Sequence, residues 1–287
     1  MKIVSFTLKD GNKYFGRIDD QEFFIGSRVA FEGNKGLMNV SGSKAQRYQR
    51  DQYRPLYGIW ADLIHPTAQV EGALYHTLNT YDRAAFTFTF LQFAAHVPNG
   101  DFVLFLRALL KLAQAEDYFP DLQLKDNRIC RMTDNGLLAL ESNESTRGLM
   151  QYLNPSAAQV EDTEIIQAAK FIHWSQNDPE HRHTQIEVGI RFFKDKMARY
   201  AQQYRLDGAE DAVCLVVADI RHQGRARSPE IASALASPKP LDALLQLGAG
   251  RYPRRVADLR KEIDTLTQEG ALGQHVYSRE LADFVPK

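Results

Sequence analysis

The fold of this chain is decided by residues 70–93, VEGALYHTLNTYDRAAFTFTFLQF. Residues 53–70 place apolar side chains at helical spacing, which predicts a helix that ends at Glu71. Asp82 follows in a polar turn, and residues 84–93 alternate aromatic residues with threonine, which predicts a strand. A helix, a turn and a strand in this order would place the Glu71 carboxylate at the end of the helix and the Asp82 carboxylate in the turn before the strand.

Towards the N-terminus, residues 2–40 have an apolar period near two, interrupted by the polar triplets 10–12 and 19–21. This pattern predicts short strands joined by turns. We therefore expect a small β-rich N-terminal extension over residues 1–45, followed by one main domain over residues 46–287. An irregular arm packed on the main body is the alternative.

Towards the C-terminus, residues 102–115 form a strongly apolar helical pattern, typical of a buried central helix. Residues 122–140 alternate around Asp134-Asn135-Gly136 and predict an inserted hairpin. Further helices are predicted at 163–175, 184–204, 209–222, 240–247 and 252–268. The expected fold class is α+β, with a mainly helical core, a small β element at residues 84–93 and the N-terminal β extension.

The composition is that of a globular protein able to bury a core without disulfides or metals. The 35 basic and 36 acidic residues leave a net charge of -1, so no global field favours nucleic acid or an anionic membrane. Cys130 and Cys214 are far apart and show no metal-ligand spacing. No segment approaches the roughly 18 apolar residues of a membrane span, and residues 1–10 do not form a signal peptide.

Two carboxylates on either side of a scissile bond are the usual machinery of glycoside hydrolysis, with one serving as proton donor and the other as base or nucleophile. Glu71 suits the donor, because apolar neighbours such as Trp60 would raise the pKa of its carboxyl. Asp82 lies in a polar turn and is expected to stay ionised. The alternatives are a surface carboxylate at a helix end for Glu71 and a turn-capping residue for Asp82.

This order of residues resembles the lysozyme-like superfamily, in particular goose-type lysozymes and bacterial lytic transglycosylases. In those families a helix-terminal Glu precedes a β-hairpin that ends in Gly-Leu-Met-Gln or a close variant, and residues 88–92 read Phe-Thr-Phe-Leu-Gln. Residues 82–87 also resemble the hairpin of chitosanases in the same superfamily. The chain departs from the family pattern at Thr89, Leu91 and Gly72, where glycine, methionine and serine are usual.

The resemblance implies Glu71 as general acid and Asp82 as base or electrostatic partner. It further implies that Gln92 contacts an N-acetyl group of a sugar and that Thr87 orients a water. Asn79 and Tyr81 would line the sugar cleft.

The implied function is cleavage of the β-1,4 linkages of bacterial cell-wall peptidoglycan, as a muramidase, without a cofactor. A lytic transglycosylase or a chitosanase of the same fold is one alternative, and a non-catalytic glycan-binding or assembly module is another. An unrelated helical interaction protein is a third. The predicted partner is peptidoglycan or a related amino-sugar glycan.

The missing signal peptide predicts synthesis in the cytoplasm and action in the periplasm or cell wall after dedicated delivery. An antibacterial effector with an immunity protein, or a phage lysis enzyme, would fit this expectation.

Two other clusters are less informative. His173, His181 and His183 surround a polar run that contains Pro179, but their spacing matches no familiar metal site, so a solvated loop is favoured. The basic residues of 251–260 alternate with acidic ones, which is typical of a salt-bridged surface rather than of a nucleic-acid interface. We therefore predict neither a metal site nor nucleic-acid binding.

Overall fold

Antiparallel strands and helices follow one another in the computed structural model, which describes residues 1–41 and 46–287 and confirms the predicted α+β class. The strands are β1 Ser5–Lys9, β2 Lys13–Ile18, β3 Gln21–Phe31, β4 Asn34–Asn39, β5 Leu78–Asn79, β6 Thr87–Phe88, β7 Phe93–Ala94, β8 Leu122–Lys125, β9 Arg128–Thr133, β10 Gly136–Ala139, β11 His275–Ser278 and β12 Asp283–Pro286. The helices are α1 Arg50–Tyr57, α2 Ile59–Val70, α3 Asp101–Leu109, α4 Ala115–Tyr118, α5 Arg147–Leu153, α6 Asp162–Asn177, α7 Pro179–Tyr204, α8 Asp211–Gln223, α9 Ser228–Leu235, α10 Pro240–Gln246 and α11 Pro253–Gln268.

Packing divides the chain into two compact units. The first contains Met1–Arg47 and Gly72–Gly189, and the second contains Tyr48–Glu71 and Ile190–Lys287. The boundary predicted at residue 45 lies outside the described residues, which leave out 42–45.

The first unit is built on an antiparallel sheet in which, over the described residues, β1 to β7 follow in chain order. The N-terminal strands and turns agree with the sequence pattern, and Asp19 and Asp20 adopt φ of 49° and 60° in the β2–β3 turn. Phe23 packs over Gly16, where a Cβ would lie 2.9 Å from the phenyl ring. Helix α6 packs on β1, β2 and β3 and closes the core of this unit.

The second unit is mainly helical, with α2 packed against α8 and α11, and α10 against α8 and α9. The β11–β12 hairpin completes it. Residues 53–70 form two helices rather than one, because Gly58 at φ 55° separates α1 from α2. Pro66 lies buried within α2, which continues to Val70.

Three further expectations need correction. Residues 84–93 are not one strand: β6 and β7 are joined by a turn with Thr89 at φ 89° and Gln92 at φ 54°. The helix predicted over 102–115 ends at Leu109, after which turn hydrogen bonds replace the helical ones. The hairpin over 122–140 is a three-stranded sheet, because Asp126 and Asn127 form an additional turn.

The predicted helices of the second half are confirmed as α6, α7, α8, α10 and α11, with shifted ends. The largest shift is in α7, which begins at Pro179, within the run that the sequence suggested was a solvated loop. The carboxylate of Asp178 accepts a hydrogen bond from the backbone amide of Glu180 at 2.9 Å, and Pro179 fits the first helical position. Helix α9 and the β11–β12 hairpin were not predicted.

Candidate functional site

Glu71 stands at the C-terminal end of α2, as the sequence predicted. Its backbone has φ -89° and ψ 3°, and its amide donates to the Thr67 carbonyl at 3.2 Å. Gly72 follows at φ 92°, a conformation that costs glycine little and other residues more. The helix therefore stops directly after Val70 and leaves the Glu71 side chain at its end.

The Glu71 carboxyl belongs to a chain of ion-paired and hydrogen-bonded side chains within the second unit, which we call the Asp219 network. It consists of Glu71, Arg255, Asp219, Arg225 and Thr67. Arg255 pairs with Oε1 of Glu71 and donates to Oδ1 of Asp219 at 2.8 Å. Arg225 pairs with Oδ2 of Asp219, and the Thr67 hydroxyl donates to Oδ1 at 3.1 Å.

The Asp219 network is almost closed to solvent. The side chains of Asp219 and Arg225 are fully buried, and those of Arg255 and Glu71 are 13% and 16% exposed. Helix α2 supplies Thr67, α8 supplies Asp219 and α11 supplies Arg255, so the packing of three helices fixes these groups. Two guanidinium groups face two carboxyl groups, which compensates the buried charge.

Burial is the largest influence on Glu71 and raises the pKa of its carboxyl. The guanidinium of Arg255 acts in the opposite direction, and the negative charge of Asp219 raises the pKa further. The net direction is upward, as predicted, but the expected neighbour Trp60 donates to Asp283 instead, and the side chain that pairs with Glu71 is Arg255. A carboxyl of this kind can retain a proton at a higher pH than an exposed glutamate and can release it to a substrate oxygen.

Asp82 lies in the first unit, in the turn between β5 and β6. Its Oδ1 accepts the Ala84 amide at 2.8 Å, and its Oδ2 accepts the Asn79 side-chain amide at 3.2 Å. The Tyr81 amide donates to Asn79 Oδ1 at 3.2 Å. The carboxylate thus caps its own turn, which is the alternative role that the sequence left open for Asp82. Two hydrogen bonds fix its orientation.

The other predicted sugar-contacting residues lie in the same β element of the first unit. Thr87 pairs with Asn79 in the β5–β6 ladder and is buried. Tyr81 is half-buried, with its ring against Phe31. Gln92 lies in the β6–β7 turn, where its backbone amide donates to the Thr89 carbonyl at 3.0 Å. The structure therefore brings Asn79, Tyr81, Asp82 and Thr87 together around one turn.

Sequence reasoning did not find the partners of Glu71. The sequence pattern predicted a helix over 209–222 with no role for Asp219, yet Asp219 is fully buried directly after the apolar run of α8, and a buried charge needs a partner of opposite charge. Arg255 was assigned to a surface salt-bridge face. The signal that could have located the network was a charged residue on an otherwise apolar helix.

The histidines considered as metal ligands have other surroundings. His173 Nδ1 and the Tyr118 hydroxyl are 2.8 Å apart. His181 is fully buried beside Trp174 and Phe105, and burial holds the pKa of its imidazole well below the usual value. Among the described residues, no group of three or more His, Cys, Asp or Glu side chains could hold a metal ion.

Comparisons of the chain with known protein families, with curated proteins and with solved structures found no match. Within residues 1–41 and 46–287, no helix has both the length and the apolar character needed to cross a membrane.

Proposed function

We propose that this chain is a glycoside hydrolase that cleaves β-1,4 linkages of peptidoglycan, with Glu71 as the proton donor. One observation carries the proposal: a helix-terminal carboxyl whose pKa is raised by burial while Arg255 fixes its position. A proton donor in glycoside hydrolysis needs both properties, because it must be protonated at the start and correctly placed against the leaving oxygen.

In the proposed reaction Glu71 gives its proton to the glycosidic oxygen as the bond from that oxygen to the anomeric carbon breaks. The carboxylate that remains is stabilised by the guanidinium of Arg255, which already donates a hydrogen bond to Oε1 of Glu71. A base must accept a proton from the attacking water, and the resemblance implies Asp82 for this role. The water oxygen joins the anomeric carbon, and proton exchange with solvent restores both carboxyl groups.

The test is digestion of purified peptidoglycan by the wild type and by Glu71→Gln, with the soluble fragments analysed by mass spectrometry. Glutamine keeps an oxygen that can accept from Arg255 but has no acidic proton. Muropeptides with a reducing end are expected from the wild type and not from the variant. Glu187→Gln, at an exposed position of α7, removes one carboxylate elsewhere and should release the same fragments as the wild type.

Each other outcome identifies a different function. Anhydro-muropeptides would assign a lytic transglycosylase, in which the sugar's own hydroxyl attacks instead of water. Cleavage of chitosan but not of peptidoglycan would change the substrate and keep the role of Glu71. No cleavage of either glycan by the folded wild type would refute the hydrolase proposal and favour a glycan-binding module.

A further inference from the structure

The turn that carries Asp82 is held at both ends by one side chain. We call residues 80–85 the Asp82 loop. The side-chain amide of Asn154, the residue directly after α5, donates to the carbonyl of Thr80 and to the carbonyl of Ala85, both at 3.0 Å. Because these carbonyls begin and end the loop, Asn154 fixes its span.

A second set of contacts fixes the start of the Asp82 loop against β4. The Leu37 amide donates to the Thr80 hydroxyl oxygen at 2.6 Å, and the Thr80 amide donates to the Leu37 carbonyl at 3.0 Å. The Thr80 hydroxyl in turn bonds Oε1 of Glu164 on α6. The approach is close enough that a Cβ on Gly36 would lie 2.6 Å from the Thr80 hydroxyl oxygen.

These contacts are buried although their groups are polar. Thr80 and Glu164 are fully buried and Asn154 is 5% exposed, and Oε2 of Glu164 finds no hydrogen-bond partner among the described residues. Burying a carboxyl in this way opposes folding, and an apolar contact of equal volume would avoid that cost. Polar contacts instead define one geometry, because each hydrogen bond restricts both distance and direction.

We propose that Thr80, Asn154 and Glu164 are positioning residues for Asp82, and this inference rests on the proposed hydrolase function. Their contacts fix both ends of the loop, and the loop in turn orients the carboxylate through the Ala84 amide, which donates to Oδ1 of Asp82. When this support is lost, the carboxylate is no longer held where it can accept a proton, although Asp82 itself is still present. The expected effect is therefore on kcat rather than on KM.

The experiment compares Thr80→Val, which removes only the hydroxyl function, with Thr80→Ser, which retains it. Hydrogen exchange of the Ala84 amide reports loop order without requiring activity, and kcat and KM are measured on peptidoglycan fragments. The valine variant is expected to lose at least about tenfold in Ala84 protection and at least about tenfold in kcat, with KM within about twofold. The serine variant should retain most of both.

Thr184→Val is the matched control, because Thr184 is also a buried threonine of the first unit but its hydroxyl donates to the Glu180 carbonyl of its own helix. It should leave Ala84 protection and kcat unchanged. If Thr80→Val does not fold, Asn154→Ala removes the other support and is expected to give the same pattern.

Unchanged Ala84 protection in the valine variant would overturn the inference, and so would reduced protection with unchanged kcat. Inactivity of the wild type on any glycan would reject the hydrolase function before a variant is made, so the two failures can be distinguished.

Discussion

Replacing Glu164 by glutamine should remove a specific pH dependence from the stability of the protein. The carboxyl of Glu164 is fully buried, and burial raises its pKa from 4.5 to about 7, with the nearby Glu161 charge acting in the same direction. The groups that face it from β4 and from the Asp82 loop, Leu37 and Thr80, carry no charge and lower its pKa through hydrogen bonds. The folded protein therefore favours the neutral form of this carboxyl.

The sign and size of the effect follow from linkage. Below pH 4.5 the carboxyl is protonated in both the folded and the unfolded chain, and it adds no pH dependence. Between 4.5 and about 7 the unfolded chain releases the proton while the folded chain retains it, so the free energy of unfolding falls as the pH rises. The fall amounts to about 1.4 kcal/mol per pH unit, or about 3 kcal/mol in total. Above the folded-state pKa it levels off.

The assay is urea unfolding of the wild type and Glu164→Gln at several pH values from 5 to 8. Other ionisable groups contribute equally to both proteins, so the difference between the two curves isolates Glu164. The difference should shift by about 2 to 3 kcal/mol in favour of the variant as the pH rises. Parallel curves would refute the reasoning, as would an equal shift for Glu187→Gln, which removes an exposed carboxylate.

Two further substitutions test the network and the turn. In Asp219→Asn, Arg255 keeps Glu71 as its partner but loses the negative charge of Asp219, so the pKa of Glu71 should fall. The alkaline limb of the pH profile of the cleavage rate should therefore move to lower pH. An alkaline limb that does not move would contradict this reasoning. At Thr89, where φ is 89°, glycine should be more stable than alanine by about 1 kcal/mol in urea unfolding, with the opposite order at Thr87 in β6. The same order at both positions would exclude backbone strain at Thr89.

Local features of the fold could be predicted where a turn or a helix end is formed by the residue types that are common there, such as glycine, aspartate and asparagine. Asp10-Gly11-Asn12 and Asp19-Asp20 separate β1, β2 and β3 as expected, and Gly72 ends α2. The β6–β7 turn was hidden because Thr89 and Gln92, rather than glycine, adopt positive φ. A pattern of alternating aromatic residues and threonine therefore looked like an uninterrupted strand.

The candidate site was predictable only in part, for a different reason. Glu71 and Asp82 could be selected because each lies at the end of a local pattern. The partners of Glu71 come from distant parts of the chain, with Arg255 separated from it by 184 residues, so no local pattern could pair them. Asn154 and Glu164 were missed for the same reason, since each contacts the Asp82 loop through tertiary packing alone.

An ion pair would normally disqualify a carboxyl as a proton donor, because an adjacent guanidinium stabilises the ionised form. In the Asp219 network, however, Arg255 also donates to Asp219, which raises the pKa of Glu71 while Arg255 lowers it. Asp219 in turn pairs with Arg225, so positive and negative groups alternate along the network and each cation faces an acid. The effects of Arg255 and Asp219 on the pKa of Glu71 oppose one another, and burial remains the largest influence on that pKa. Arg255 can thus hold the carboxyl in one orientation without fixing it in the ionised state, and a general acid requires this combination.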